Sequence, residues 1–189
     1  MKVYFHLCID GFTNSYVIVN DDPAVMEAII VDPGQISNDI IRQIEDGGYK
    51  LVAVLITHNH AHHINGLRTL TKIYNPTVYA ADSETYGMNS SILNGDGMTR
   101  IANLNVEFFS IPGHSPDSMV YKIEDVLFTG DTIIPGETGS TSSQYSKKLL
   151  CSKIKDKLFT LPDRTLIFPG HGAPGTIESE KQFNIDMIF

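Results

Sequence analysis

Thr57-His58-Asn59-His60-Ala61-His62-His63-Ile64-Asn65-Gly66 is the stretch on which the reading of this chain turns. Four of the seven histidines fall within six positions, where an even scatter over 189 residues would place about 0.2, and neutral imidazole is the commonest metal ligand. Directly before the cluster runs Leu51 to Ile56, a continuous apolar segment of strand length. Such a run predicts a strand buried on both faces. The strand delivers the histidines to its own end, where the sites of α/β folds sit. Metal binding is therefore favoured over a His-rich surface loop.

On the upstream side, residues 3–9 alternate, and 15–19 (SYVIV) and 28–32 (AIIVD) are β-rich runs separated by the turn residues Asp21-Asp22-Pro23. Ile36, Ile40, Ile41 and Ile44 then repeat at helical spacing, with Gly47-Gly48 as a stop. Downstream, a helix fits Ile64 to Tyr74, closed by Asn75-Pro76 before a short strand at 77–80. Further strands are expected at 106–111, 118–123, 126–129 and 165–168, and helices at 144–159 and 177–183. The class is mixed α/β or α+β. Hairpins combined with helix crossovers suggest two sheets with helices outside, but periodicity alone does not separate this from one mixed sheet.

The composition is that of a globular protein, 42% apolar and 19% charged, and the chain reads as a single domain over 1–189 without disulfide staples. The net charge is −8, and the basic residues are scattered except for Lys147, Lys148, Lys153, Lys155 and Lys157. These lysines alternate with apolar residues at helical spacing and read as the solvated face of an amphipathic helix. A nucleic-acid partner is disfavoured. No apolar run approaches the roughly 18 residues of a membrane span, and the first ten residues alternate like a strand rather than forming a signal core. Cys8 and Cys151 lie in no C-x-x-C pair. A cytoplasmic protein with two reduced thiols and no membrane partner is expected, and a homo-oligomer is compatible with the sequence.

The remaining histidines extend the pattern. His114 in Pro-Gly-His-Ser and His171 in Pro-Gly-His-Gly each lie in a turn beside an expected strand, and Asp131 closes the strand Val-Leu-Phe-Thr-Gly-Asp. His6 lies within the first strand and reads as structural. Imidazoles and a carboxylate at successive strand ends can supply the three or four ligands that a zinc-type ion requires.

The order and spacing of these motifs resemble the metallo-β-lactamase superfamily. Asp32-Pro33-Gly34, His58-Asn59-His60, His63, Pro112-Gly113-His114-Ser115, Thr129-Gly130-Asp131-Thr132 and Pro169-Gly170-His171-Gly172 stand where that family has its motifs. The resemblance implies a four-layer αββα sandwich with a metal site at the rim between the sheets. It also implies that His58, His60 and His114 hold a first ion, that His63 and His171 belong to a second, and that Asp131 bridges. Two zinc ions are expected, with iron or manganese as alternatives. One position departs: His62 stands where the family has Asp. His62 is a replacement ligand for the second ion, or a proton relay if neutral and unligated, or a non-ligand in a one-metal site. With Asp131 it completes the candidate catalytic pair.

The chemistry such a site favours is hydrolysis of a small-molecule substrate, with hydroxide as nucleophile. Within the family the chain looks like short glyoxalase II-like hydrolases, through VLFTGDTI at 126–133 and FPGHGAPGTIESEKQFN at 168–184. That resemblance implies thioester or ester hydrolysis. Ending at Phe189 leaves no expected room for a glutathione-holding helical domain. The Arg-bearing segment of many relatives is replaced by Gly139-Ser140-Thr141-Ser142. Tyr145 and Lys147 would compensate if they faced the cleft, but their helical spacing favours the outer helix. Two alternatives stand beside the hydrolase. One is a persulfide dioxygenase-like oxidoreductase with a single iron at His58, His60 and Asp131 or His114. The other is a metal-binding protein with catalysis weakened by His62.

Overall fold

Alternation along Thr13–Asn20 and Glu27–Val31 sorts their side chains into two buried layers. The computed structural model describes residues 1–187. Tyr16, Ile18, Ile29 and Val31, joined by Ala53 and Leu55, face Val106, Phe108, Tyr121, Ile123 and Phe128 of a second sheet. Five α-helices stand among the described residues: α1 (Asn38–Glu45), α2 (Ala61–Ile64), α3 (Leu67–Tyr74), α4 (Gln144–Lys153) and α5 (Ile177–Phe183). On the first sheet's other face, Val17, Val19, Ala28 and Ile30 pack against Ile40 and Ile44 of α1 and Leu67 and Leu70 of α3. Val120, Leu127 and Ile167 on the second sheet's outer face meet Leu150 of α4 and Ile177 of α5. Three apolar seams therefore bind four layers, helix, sheet, sheet and helix. This is the expected αββα sandwich, and a single mixed sheet is set aside.

The first sheet runs in the order Lys2–Cys8, Thr13–Asn20, Glu27–Val31, Lys50–Leu55, Thr77–Ala80, Ser91–Ile92, antiparallel for its first two pairings and parallel for the rest. The second runs Gly175–Thr176, Leu166–Pro169, Val126–Gly130, Met119–Ile123, Leu104–Ser110, Gly97–Ile101, parallel only where Val126–Gly130 meets Leu166–Pro169. Lys50–Leu55 and Val126–Gly130 are interior strands, which is why both read as continuous apolar runs. Their ends deliver the histidine cluster and Asp131.

Two helices differ from expectation. The segment foreseen as Ile64 to Tyr74 is broken into α2 and α3 at Asn65-Gly66. Gly66 N–H donates to Pro33 O at 2.8 Å, and a Cβ on Gly66 would stand 2.6 Å from that oxygen. The chain is drawn onto the Asp32-Pro33-Gly34 turn too closely for any side chain there. The helix foreseen as 144–159 ends its α-helical part at Lys153 and continues through Ile154–Leu158 as a wider turn, with Phe159 N–H donating to Ile154 O at 3.0 Å. The hairpin of Ile133–Ile134 with Glu137–Thr138 was not foreseen, because two-residue strands carry no readable period. Nor was the edge strand Gly97–Ile101, which is largely exposed. No helix among the described residues is long and apolar enough to cross a membrane.

Candidate metal centre

Past the strand Lys50–Leu55, Ile56 and Thr57 carry the chain to His58, and His60 then caps α2, which contains His63. His58 and His63 are buried, His114, Asp131 and His171 are half-buried, and His60 is exposed. One donor atom each from His58, His60, His114 and Asp131 lie within 4.8 Å of one another, as do donors from His63, Asp131 and His171. Asp131 belongs to both groups: its Oδ2 is 3.8, 3.5 and 3.7 Å from Nε2 of His58, His63 and His114. Its Oδ1 is 2.7 Å from His171 Nδ1.

The buried carboxylate of Asp32 orders this arrangement from behind. Asp32 Oδ1 accepts from Thr57 N–H at 2.8 Å, and Oδ2 accepts from the Thr57 hydroxyl at 2.6 Å and from His63 Nδ1–H at 2.8 Å. With its own proton given to Asp32, the Thr57 hydroxyl accepts from His58 Nδ1–H at 3.0 Å. His114 Nδ1–H donates to Ser140 O at 2.8 Å. Each of these imidazoles thus has its Nδ1 engaged outward and its Nε2 turned to the centre, the orientation that a metal ligand needs once any second proton is released. His114 Nε2 and His60 Nδ1 stand 3.1 Å apart, near the roughly 3.3 Å between two nitrogens at zinc-bond length on a tetrahedral ion. In the sequence Asp32 and Thr57 read only as neighbours of the motif residues. Their role becomes visible only once strand pairing sets Val31 beside Leu55.

Nε2 of His58 and of His63 are buried without a hydrogen-bond partner. Buried polar atoms left unpaired are costly, and a divalent cation between them and Asp131 satisfies both. The residues fit a metal.

The rim is held by bonds between the two sheets. Asn14 Nδ2 donates to Pro169 O at 2.9 Å and to Gly172 O at 2.8 Å, and the Tyr16 hydroxyl donates to Pro169 O at 2.7 Å. The Tyr121 hydroxyl donates to Ile56 O at 2.7 Å. Gly170 lies so close to the centre that a Cβ there would be 2.6 Å from both Asp131 Oδ1 and His63 Cε1.

Electrostatics separate the members. Burial, reinforced by the neighbouring His63, depresses the His58 imidazolium to about 2. Burial acts the same way on His63, but the Asp32 and Asp131 carboxylates outweigh it and raise His63 to about 9. For Asp131, burial raises the carboxyl, while the His171 hydrogen bond and the nearby His63 hold it far below the usual carboxylate range.

His62 stands apart from the other candidates. It is exposed, its ring centroid is 6.4 Å from that of His171, and it enters none of the donor groupings. Successive helical residues point about 100° apart, and on α2 His63 takes the inward direction. His6 is half-buried in the first strand and enters none of the donor groupings.

A cavity of about 350 Å³ opens beside the centre, lined by His114, Asp131, His171, Thr138, Ser140 and Lys147 among others. Lys147 therefore faces the cleft, which corrects its assignment to the outer helix face. Its Nζ donates to Thr138 Oγ1 at 2.6 Å and to Asp186 Oδ2 at 2.5 Å, and these partners pull it inward. Lys157 also leaves the solvated face, bonding Asp96 at 2.6 Å and Ser110 O at 3.0 Å. Tyr145 stays outside, 77% exposed.

A profile of the metallo-beta-lactamase superfamily matches residues 8–171. YqgX of Bacillus subtilis (strain 168), a probable metallo-hydrolase, is 29% identical over 194 residues, covering 90% of this chain and 90% of that protein. A hydroxyacylglutathione hydrolase of Chromohalobacter salexigens is 31% identical over 170 residues, covering 86% of this chain and 64% of that protein. Among solved structures, the BLEG-1 B3 metallo-beta-lactamase superposes with a TM-score of 0.89 over 100% of both chains, at 27% identity. With the motif residues at the rim of a four-layer sandwich and the profile spanning most of the chain, the protein belongs to the metallo-beta-lactamase superfamily.

Proposed function

We propose that this protein is a metal-dependent hydrolase acting on a thioester or ester of a small molecule. One observation carries the reading: the Nε2 atoms of His58, His63 and His114 converge on the Asp131 carboxylate, at the mouth of a cavity of small-molecule size. The first ion would be held by His58, His60, His114 and Asp131, and a second by His63, His171 and the shared Asp131. His62 is left outside the ligand set as an exposed imidazole beside His171. When bound, a divalent ion lowers the pKa of water to about 7 and polarises a carbonyl oxygen. Zinc suits these nitrogen and carboxylate donors, and iron or manganese would occupy the same positions.

The chain's own groups do the rest. Asp32, Thr57 and Ser140 O keep the imidazoles turned inward. Asp131, held as a carboxylate by His171, supplies the negative charge on which the imidazole Nε2 atoms converge. The likeness to a hydroxyacylglutathione hydrolase supports an acyl-thioester substrate class.

The test is metal content by elemental analysis, together with hydrolysis of a panel of thioesters and esters by the loaded protein. A β-lactam belongs in the panel, since a protein of the same fold carries that activity in its name. Bound metal and thioester turnover that falls at least a hundredfold in His58→Ala and in Asp131→Ala are expected. Turnover unchanged in both variants would overturn the reading.

A further inference from the structure

Lys147 is the only Lys or Arg among the described residues lining the cavity beside His114, Asp131 and His171. It is not a free cation. Its ammonium lies 2.5 Å from Asp186 Oδ2 and 2.6 Å from Thr138 Oγ1. Asp186 is fixed independently of Lys147, accepting from Thr138 N–H at 2.8 Å and from the Thr138 hydroxyl at 3.1 Å. The turn after α5 sets it there. Ile185 N–H donates to Gly136 O at 2.8 Å, Asp186 N–H donates to Asn184 Oδ1 at 3.2 Å, and Asn184 Nδ2 donates to the buried Glu180 at 2.7 Å. Met187 is buried in the apolar seam under α4. Besides Asp131, a further carboxylate, Glu137, lines the same cavity.

An ammonium paired at this distance in a partly desolvated cleft presents no net positive charge to a ligand. An entering carboxylate would have to displace Asp186, which the Thr138 backbone also holds, or lie beside two like charges. The hydroxyl of Ser140 and the backbone of Gly139, which line the same cavity, instead offer partners to an uncharged polar group.

We propose that Asp186 is a specificity-determining residue: by neutralising Lys147 it makes the cavity accept substrates whose group on this side is uncharged and polar, and reject those bearing a carboxylate there. This rests on the hydrolase reading, and it argues for a thiol carrier other than glutathione, which bears two carboxylates.

The experiment uses the zinc-loaded full chain and two thioesters of one acyl group, one with N-acetylcysteamine and one with 3-mercaptopropionate. The wild type is expected to prefer the neutral thioester at least tenfold in kcat/KM. Asp186→Asn, which keeps the shape and frees the ammonium, moves that ratio at least fivefold toward the carboxylate substrate, chiefly in KM. Lys147→Met moves it the other way, because Glu137 and Asp186 are left uncompensated. The double variant loses the gain of Asp186→Asn. A merely structural role would lower both substrates together. Calorimetric binding of succinate to the metal-free chain provides a readout without turnover: binding to Asp186→Asn, but not to the wild type or the double variant, is expected. If no thioester is turned over while succinate behaves this way, the hydrolase reading fails and the charge assignment stands. A substrate ratio within twofold of wild type in Asp186→Asn, both single variants shifting it in the same direction, or equal succinate binding in wild type and Asp186→Asn would overturn the proposal.

Discussion

Asp32 Oδ2 accepts His63 Nδ1–H at 2.8 Å, and the same oxygen accepts the Thr57 hydroxyl that in turn orients His58. One buried carboxylate thereby orients two neighbouring imidazoles, 4.2 Å apart between ring centroids, whose Nε2 atoms both face Asp131 Oδ2. Asp32 itself sits at φ 48, in the left-handed region, so the turn after Val31 carries strain that these bonds offset.

Asp32→Asn replaces an acceptor of three hydrogen bonds by an amide that must direct an N–H at one of those donors. Metal affinity is expected to fall about 10- to 100-fold, measured by competition with a chromogenic chelator. Wild-type affinity in Asp32→Asn would refute the orienting role.

His62→Asp restores a carboxylate beside His63 and His171. The expected outcome is a second ion bound more tightly, seen as stoichiometry rising toward two per chain at limiting zinc, whereas His62→Ala leaves the first ion in place. Loss of the first ion in His62→Ala would show that the exposed imidazole is a ligand after all.

Zinc loading is expected to raise thermal stability, because the unpaired Nε2 atoms of His58 and His63 gain partners only in the folded chain. At a thousandfold excess over Kd the linkage amounts to about 4 kcal/mol, or a rise in Tm of roughly 10 °C for a chain of this size. Scanning calorimetry with and without a chelator measures it, and an unchanged Tm would contradict metal binding at these atoms.

Gly170→Ala puts a methyl group 2.6 Å from Asp131 Oδ1 and His63 Cε1. The fold should survive at a cost of about 1–3 kcal/mol, while the metal content drops. Denaturant titration and elemental analysis separate the two effects, and full metal occupancy would show that the rim is looser than described.

The Asp186 carboxyl is raised by burial but lowered further by Lys147 and Thr138, so it lies below its ordinary value. A depressed carboxylate contributes stability above its unfolded value near 3.8, and that contribution is lost as pH falls through the folded value. The acid limb of Tm against pH should accordingly be shallower in Asp186→Asn than in the wild type. Superimposable limbs would remove Asp186 from the acid response.

Much of the site was legible in the chain because strand ends are local. Leu51 to Ile56 and the run closing at Asp131 had to be interior strands, and whatever followed them had to emerge at a rim. The alternation of Tyr16 and Ile18 against Val17 and Val19 likewise required two buried faces.

What the sequence determined by itself, then, was which residue types stand at the strand ends, since periodicity and turn residues act over a few positions. Tertiary structure decided the rest: that Gly66 breaks the helix against Pro33, that His62 faces out while His63 faces in, and that Asp32 reaches two imidazoles at once. It also decided that Lys147 points into the cleft rather than to solvent. Asp186 lies 39 positions further along the chain, and only folding the last turn back onto Gly136 and Thr138 puts that carboxylate within reach of the lysine. Pairings made across such separations leave no periodic trace in the sequence, because nothing in the local spacing encodes the distance between the two groups.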